Sequence, residues 1–258
     1  LSIGENHINS FQDMVRNYID ADNFFIKKGA TSSQYQFLFN KLKNYTNVIV
    51  SVHSMTRSHK DEYGLDFNTL GLIKKLQSHV NVVVAVFGSP YSLSYFQDAT
   101  NLLLAYQNDD ETQKLAAQAI FGGIKIHGRI PVSSSEKYKF NKGIVTYGPI
   151  RFKYTLPEEV GVSSGTLNRI DSIVFDAISN RVTPGCQVLV ARKGKVIFNK
   201  SFGHHTYDKK KVVKRSDLYD IASITKVAAT TISLMKLYDE KKINLDSTIG
   251  NYLPELKR

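Results

Sequence analysis

Apolar residues recur along the first half of the chain in two alternating rhythms. Ile8, Phe11, Val15 and Ile19 fall at helical spacing across residues 8–20, and Phe37, Leu38 and Leu42 do so across 34–42. Leu70, Ile73 and Leu76 mark a helix over 66–78, and 111–121 reads as another, closed by Gly122-Gly123. Between them lie continuous β-branched runs at 47–52 and 81–87, shorter apolar stretches at 21–26 and 101–105, and Leu1-Ser2-Ile3-Gly4, which reads as the tail of a strand. Strands that are apolar on both faces, alternating with amphipathic helices, predict an α/β domain with a mainly parallel sheet. It extends to about residue 150.

A different rhythm follows. Residues 147–159 are rich in turn formers and lack an apolar period, so 151–157 is expected to be a linker. Ser163-Ser164 then caps a helix carrying Leu167, Ile170, Ile173, Val174 and Ile178. Two strands, 187–193 and 196–202, surround Lys193-Gly194-Lys195 and predict a hairpin. A charged loop over 207–217 leads to Leu218–Thr231, followed by Ile232, Leu234, Met235 and Leu237 at roughly helical spacing. Ser223 stands where that helix begins, and Lys226 follows three residues later on the same face.

This pair is the candidate chemistry. A serine hydroxyl is a poor nucleophile until a neighbouring base takes its proton, and a lysine one turn away can do that. Spacing alone leaves a second reading open, in which Ser223 is an N-cap and Lys226 a solvated side chain. Ser-x-x-Lys also occurs at Ser134-Lys137 and Ser233-Lys236, in a polar loop and inside the predicted helix, neither a suitable setting. His53 and Ser54 follow a predicted strand at its carboxyl end, where open sheets place their clefts, and Ser89 closes the strongest strand. These three are weaker candidates to line a binding site. A loop histidine satisfied by backbone is the competing reading of His53.

Composition narrows the classes. The 258 residues are 42% apolar and 22% charged, ordinary for a globular protein. No run approaches the roughly 20 apolar residues of a membrane span. The net charge of +11 is spread among interleaved acids, with no nucleic-acid motif, so no nucleic-acid partner is expected. No glycine-rich phosphate loop follows any strand, and the histidines show no metal-ligand spacing, so neither a cofactor nor a metal is expected. Cys186, the single cysteine, lies in an apolar stretch and reads as a structural thiol.

Two family resemblances rest on specific residues. Ala119-Ile120-Phe121-Gly122-Gly123, Gly128-Arg129-Ile130-Pro131-Val132-Ser133 and Val86-Phe87-Gly88-Ser89-Pro90-Tyr91 resemble the C-terminal α/β domain of glycoside hydrolase family 3. Its nucleophile belongs to an N-terminal barrel with no counterpart here. Pro184-Gly185-Cys186-Gln187-Val188, Ile221-Ala222-Ser223-Ile224-Thr225-Lys226, Leu245-Asp246 and Tyr252-Leu253-Pro254 resemble the N-terminal part of class C-like serine β-lactamases and penicillin-binding proteins. That resemblance implies an acyl-enzyme on Ser223, with Lys226 as base. The family's downstream Tyr-x-Asn or Ser-x-Asn element and its Lys/His-Thr-Gly strand have no match after the serine.

Together the resemblances imply a fusion: residues 1–150 as the glycosidase-type α/β domain, 151–157 as linker and 158–258 as the opening portion of the serine hydrolase. The chain is expected to be an internal fragment of a bifunctional hydrolase of the β-N-acetylglucosaminidase kind, acting on peptidoglycan or a related glycopeptide. Export to the periplasm or cell surface is part of the same implication. Alone, it is expected to be inactive.

Overall fold

The computed structural model describes residues 1–256, in two compact units, Leu1–Ser216 and the residues from Asp217 on. Each is taken separately.

In the first unit, β1 (Ser2–Ile3), β2 (Phe25–Ile26), β3 (Asn47–Val52), β4 (Asn81–Phe87) and β5 (Asn101–Ala105) form one sheet of order β2-β1-β3-β4-β5. Every pairing in it is parallel. The β-branched runs of β3 and β4 pair along their full lengths, from Asn47 opposite Asn81 to Val52 opposite Val86. One face is covered by α2 (Ser32–Leu42) and α3 (Phe67–Gln77). Their Tyr35, Leu38, Leu42, Leu72, Ile73 and Leu76 pack on Val48, Val50, Val82 and Val84. The other face takes α1 (Ser10–Val15) and α4 (Asp110–Ile120), where Phe11 and Val15 meet Phe87, Ala116 and Ala117.

The α/β class and its parallel sheet are as the apolar pattern predicts. Several bounds differ. The helix expected over 8–20 is only Ser10–Val15, because Asn9 caps it by accepting from the Gln12 N–H and the chain then turns at Asn17 and Tyr18. Ile8 and Ile19, counted as part of its apolar face, are exposed. The strand expected over 21–26 reduces to Phe25–Ile26. Asp109 caps α4 through the Thr112 N–H, and that bond holds its carboxyl below the usual range.

Residues 124–150 contain no helix or strand. A second, three-stranded sheet follows, ordered β6-β8-β7 from β6 (Lys153–Tyr154), β7 (Gly185–Arg192) and β8 (Lys195–Gly203). The stretch expected to be a linker therefore contains β6. It is also held to α4 and to the turn that follows α1. Tyr154 N–H donates to Gln118 Oε1 at 2.8 Å, Tyr154 Oη donates to Asn17 O at 3.0 Å, and Tyr18 Oη donates to Phe152 O at 2.9 Å.

The hairpin turns at Lys193-Gly194, both with positive φ (51° and 71°), as a two-residue turn matching strand twist requires. α5 (Ser164–Ser179), capped by Ser163, packs Val174, Leu167, Ile170 and Ile178 on Phe198 and Phe202. Ile173, expected on that face, is exposed. Cys186 is half-buried beside this cluster, and burial pushes its thiol pKa up.

The second unit is short. A π-helical stretch, Lys226–Thr231, runs into α6 (Ile232–Asp239), and two 3-10 turns follow at Ile249–Asn251 and Pro254–Leu256.

Candidate active site

Ser223 sits at the entrance to the π-helical stretch, and the local chain explains why. The Asp220 carboxylate accepts from the Ala222 N–H at 2.7 Å, and Ala222 takes φ +44°, a left-handed conformation that costs a non-glycine residue about 1 kcal/mol or more. The bend ends the extended approach. Ile224, Thr225 and Lys226 then donate to the carbonyls of Ile221, Ala222 and Ser223, beginning the helix.

Lys226 Nζ donates to Ser223 Oγ at 3.0 Å. The hydroxyl therefore meets the lysine side chain, and the π-helical stretch begins without a side-chain cap bond. The first turn is widened: Thr231 Oγ1 donates to Lys226 O at 2.9 Å, inside a π-helical stretch of a kind that is frequent at functional sites. The predicted long helix begins with this irregular turn, which periodicity cannot show.

The pair is open to solvent, as are its neighbours. Ile224 is 63% exposed, Val227 67% and Leu218 99%. Ile232, Leu234, Met235 and Leu245 are exposed too. The helix thus carries apolar side chains that no described residue buries. An oxyanion-stabilising site draws its strength from donors fixed in a water-excluded setting. Ser223 and Lys226 have the contact but not the enclosure.

The weaker candidates lie in the first unit. In the order β2-β1-β3-β4-β5 the chain reverses direction across β1 and β3, so the carboxyl ends of those strands are the expected crevice. There the segments after β1 and β3 are tied together. Ser54 Oγ donates to Gly4 O at 3.1 Å, and the His53 N–H donates to Ile3 O at 2.8 Å.

His53 is 1% exposed, so it lies beneath the surface and does not line it. Its Nδ1 is 2.7 Å from Asn108 Oδ1 and its Nε2 is 3.0 Å from Asn9 Nδ2. Acceptor on one side and donor on the other assign a neutral ring with its proton on Nδ1. The ring stacks on Phe87 at 4.6 Å between centroids. Burial lowers its pKa to about 4.

The competing reading had the ring satisfied by backbone; two asparagine side chains hold it instead. Neither was foreseen, because Asn9 and Asn108 are far from His53 in sequence. Ser54 is exposed, with φ +54°. Ser89 caps the 3-10 turn Pro90–Phe96, accepting from the Tyr91 N–H. Among the described residues no group of three His, Cys, Asp or Glu side chains could hold a metal, and no helix is long and apolar enough to cross a membrane.

Comparison with known proteins bears on the second half of the chain. Residues 170–258 match the family model described as Beta-lactamase. Protein flp of Staphylococcus aureus strain NCTC 8325 / PS 47 is 31% identical over 96 residues, covering 37% of this chain and 19% of that protein. A "Putative D-alanyl-D-alanine carboxypeptidase" of Salmonella agona strain SL483 is 30% identical over 108 residues, 39% of this chain and 25% of that protein.

Among solved structures, a fungal multi-domain GH3 β-N-acetylglucosaminidase with a GCN5-related glucosamine N-acetyltransferase region aligns with 92% of this chain and 28% of its own. The TM-score is 0.40 and the identity 16%. The chain spans about a fifth to a quarter of the length of the curated relatives it matches (19% and 25%). The Ser223–Lys226 pair lies within residues 170–258, the part of the chain that is similar to the Beta-lactamase family.

Proposed function

We propose that the chain is the middle of a two-activity hydrolase. Residues 1–150 are the α/β companion domain of a family 3 glycosidase of the β-N-acetylglucosaminidase kind, 151–157 the connection, and 158–258 the opening portion of a serine acyl hydrolase. The observation that carries the acyl-transfer half is the 3.0 Å contact of Lys226 Nζ with Ser223 Oγ inside the family-matched region. The glycosidase half rests on the glycine- and proline-punctuated motifs around Phe87 and Phe121 and on the parallel α/β sheet that holds them.

In this reading Lys226 Nζ takes the Ser223 proton as Oγ adds to the carbonyl carbon of an amide or ester. The Ser223 N–H supplies one oxyanion donor. The bond to the leaving group breaks, that group takes the proton from Lys226, and the acyl ester on Ser223 is released by water or by an acceptor amine. A peptide ending in D-alanine on a glycan strand joins both halves in one substrate. The carboxypeptidase relative supports that choice, and a periplasmic or cell-surface setting follows from it. Sugar contacts in the first unit fall to Ser54 and Ser89, which are accessible, with His53 holding the loop beneath.

The exposure of Ser223 and its neighbours favours a second reading for the chain alone: a non-catalytic scaffold or glycan-binding module. Covalent labelling separates the two. A chain carrying the proposed downstream part of the domain, treated with a penicillin or a fluorophosphonate, gives an adduct on Ser223 that is lost in Ser223→Ala. The chain ending at Arg258 labels at least about a hundredfold more slowly, because enclosure and the second donor are missing. A folded, longer chain without any adduct sinks the acyl-enzyme reading.

A further inference from the structure

Strand β5 is the last of its sheet and pairs, among the described residues, with β4 alone. The Gly88 N–H donates to Ala105 O, so the peptide groups of Ala105 face β4. Parallel strands alternate, so those of Leu103 face β4 too, while those of Leu102 and Leu104 face outward. No described backbone group outside the sheet bonds to Leu102 or Leu104. An edge reading Asn-Leu-Leu-Leu-Ala, without charge or proline, is a template for another strand.

A segment without regular structure lies beside it. Within residues 124–150 two limbs are bonded to each other. Ile130 N–H donates to Lys142 O and Asn141 N–H to Ile130 O, both at 2.8 Å, and Thr146 N–H donates to Ile126 O at 3.1 Å. The limbs approach so closely that a Cβ on Gly143 would stand 2.5 Å from Gly128 O.

The first limb is tied down at both ends of β5. Past the carboxyl end of the strand, Tyr106 Oη donates to Arg129 O at 3.2 Å. Ahead of its amino end, Lys137 Nζ donates to Gln97 O at 2.6 Å and to Ala99 O at 2.7 Å, and Tyr138 Oη donates to Phe96 O at 3.0 Å. Helices take both faces of the sheet, so the path between these anchors follows the open edge. The run from Arg129 to Lys137 reaches ~26 Å when extended, more than the ~17 Å of β5. Ile130, Val132 and Ser134 are half-buried and Arg129, Pro131 and Ser133 exposed, the alternation of an extended chain with one side against protein.

Lys137 makes the charge-assisted bonds among these anchors, which are the stronger kind. Glu136 pairs with Lys139 and Asp98 with Lys74, so these neighbouring carboxylates are engaged elsewhere and two backbone carbonyls hold the ammonium.

We propose that this segment is a strap that guards the β5 edge against a second copy of the chain, and that Lys137 is its latch. The strap covers the edge without bonding to it, so a strand that does bond displaces it once the latch is open. Two β5 edges then pair antiparallel about a two-fold axis, through the outward groups of Leu102 and Leu104.

The test uses the whole chain with Lys137→Met, which keeps an unbranched stem and removes the ammonium, and Lys137→Arg, which keeps a cationic donor. In Lys137→Met, trypsin is expected to cut after Lys139 and Lys142 at least about tenfold faster than in wild type. The variant is also expected to sediment as a concentration-dependent dimer in which amide exchange at Leu102 and Leu104 slows at least about tenfold. Wild type and Lys137→Arg remain monomers. A folded Lys137→Met that is cut at the wild-type rate, or that stays monomeric, overturns the proposal. So does a dimer with Leu102 and Leu104 unprotected, since another surface then joins the copies. If Lys137→Met does not fold, Tyr138→Phe, which drops only the bond to Phe96 O, replaces it: faster cutting after Lys139 and Lys142 supports the strap, and an unchanged rate overturns it.

Discussion

The His53 ring is held between Asn108 Oδ1, 2.7 Å from Nδ1, and Asn9 Nδ2, 3.0 Å from Nε2. Asn108 is itself fixed, because Gln113 Nε2 donates to its Oδ1 and its carbonyl, and the Phe11 N–H donates to Gln113 Oε1. Asn9 also donates to Ser2 Oγ, which pairs with Ser51 Oγ at 2.9 Å. One buried polar chain thus connects α1, β1, β3 and the start of α4. Replacing Asn108 with Ala leaves the His53 Nδ1–H without its acceptor and is expected to cost about 1–3 kcal/mol, read from urea unfolding at pH 7.5.

The same ring gives the fold a pH dependence. Its folded pKa, lowered to about 4 by burial, lies below the ordinary 6.5 of the unfolded chain. Above pH 6.5 the ring is neutral in both states and contributes no slope. Between about 6.5 and 4 the unfolded chain binds the proton and the folded chain does not, so stability falls as pH falls. A 2.5-unit difference amounts to about 3 kcal/mol at most. Urea midpoints at pH 7.5, 5.5 and 4.5 should decline in that order, and the decline should flatten in His53→Gln. An unchanged slope in that variant assigns the dependence to other groups.

Gly4 lets this end of the sheet close. It has φ +93°, and a Cβ there would stand 2.7 Å from His53 O. The obstacle is backbone, which cannot move aside as a side chain can. Gly4→Ala therefore combines left-handed strain with a steric conflict, and a loss of about 2–4 kcal/mol in unfolding free energy is expected. A variant with wild-type Tm would show that the β1–β3 junction is looser than this packing.

Much of this was legible because short-range pattern and tertiary structure agree. The runs at 47–52 and 81–87 are strands at those bounds, since a β-branched run buried on both faces has no competing helical reading, and the shorter apolar stretch at 101–105 is a strand beside them. The helix over 8–20 misled because Ile8 and Ile19 share the period of Phe11 and Val15 without sharing their burial, and the Asn9 cap excludes Ile8. The Ser223–Lys226 contact was legible as an i, i+3 pair. The Asp220 brace, the left-handed Ala222 and the π-helical turn were not, because each depends on backbone angles that many residues could adopt. The Asn9–His53–Asn108 chain joins residues 44 and 55 positions apart and leaves no local trace.

The hairpin turn offers a stabilising change. Lys193 holds φ 51° ahead of Gly194, in a two-residue turn where asparagine is favoured and lysine is not. Its side chain is exposed, so little packing is lost. Lys193→Asn is expected to raise stability by about 0.5–1 kcal/mol, seen as a small increase in Tm. Lys193→Val, β-branched in the same conformation, should lower it.

The role of Lys226 is separable from mere attraction to Ser223. Both lysine and arginine can donate to a hydroxyl, but arginine stays protonated and cannot serve as a base. If Lys226 only orients Ser223, Lys226→Arg retains most labelling of the longer hydrolase by a fluorophosphonate, and Lys226→Met loses it. If Lys226 accepts the proton, both variants label about a hundredfold or more slowly while Tm changes little, since the Lys226 side chain is exposed.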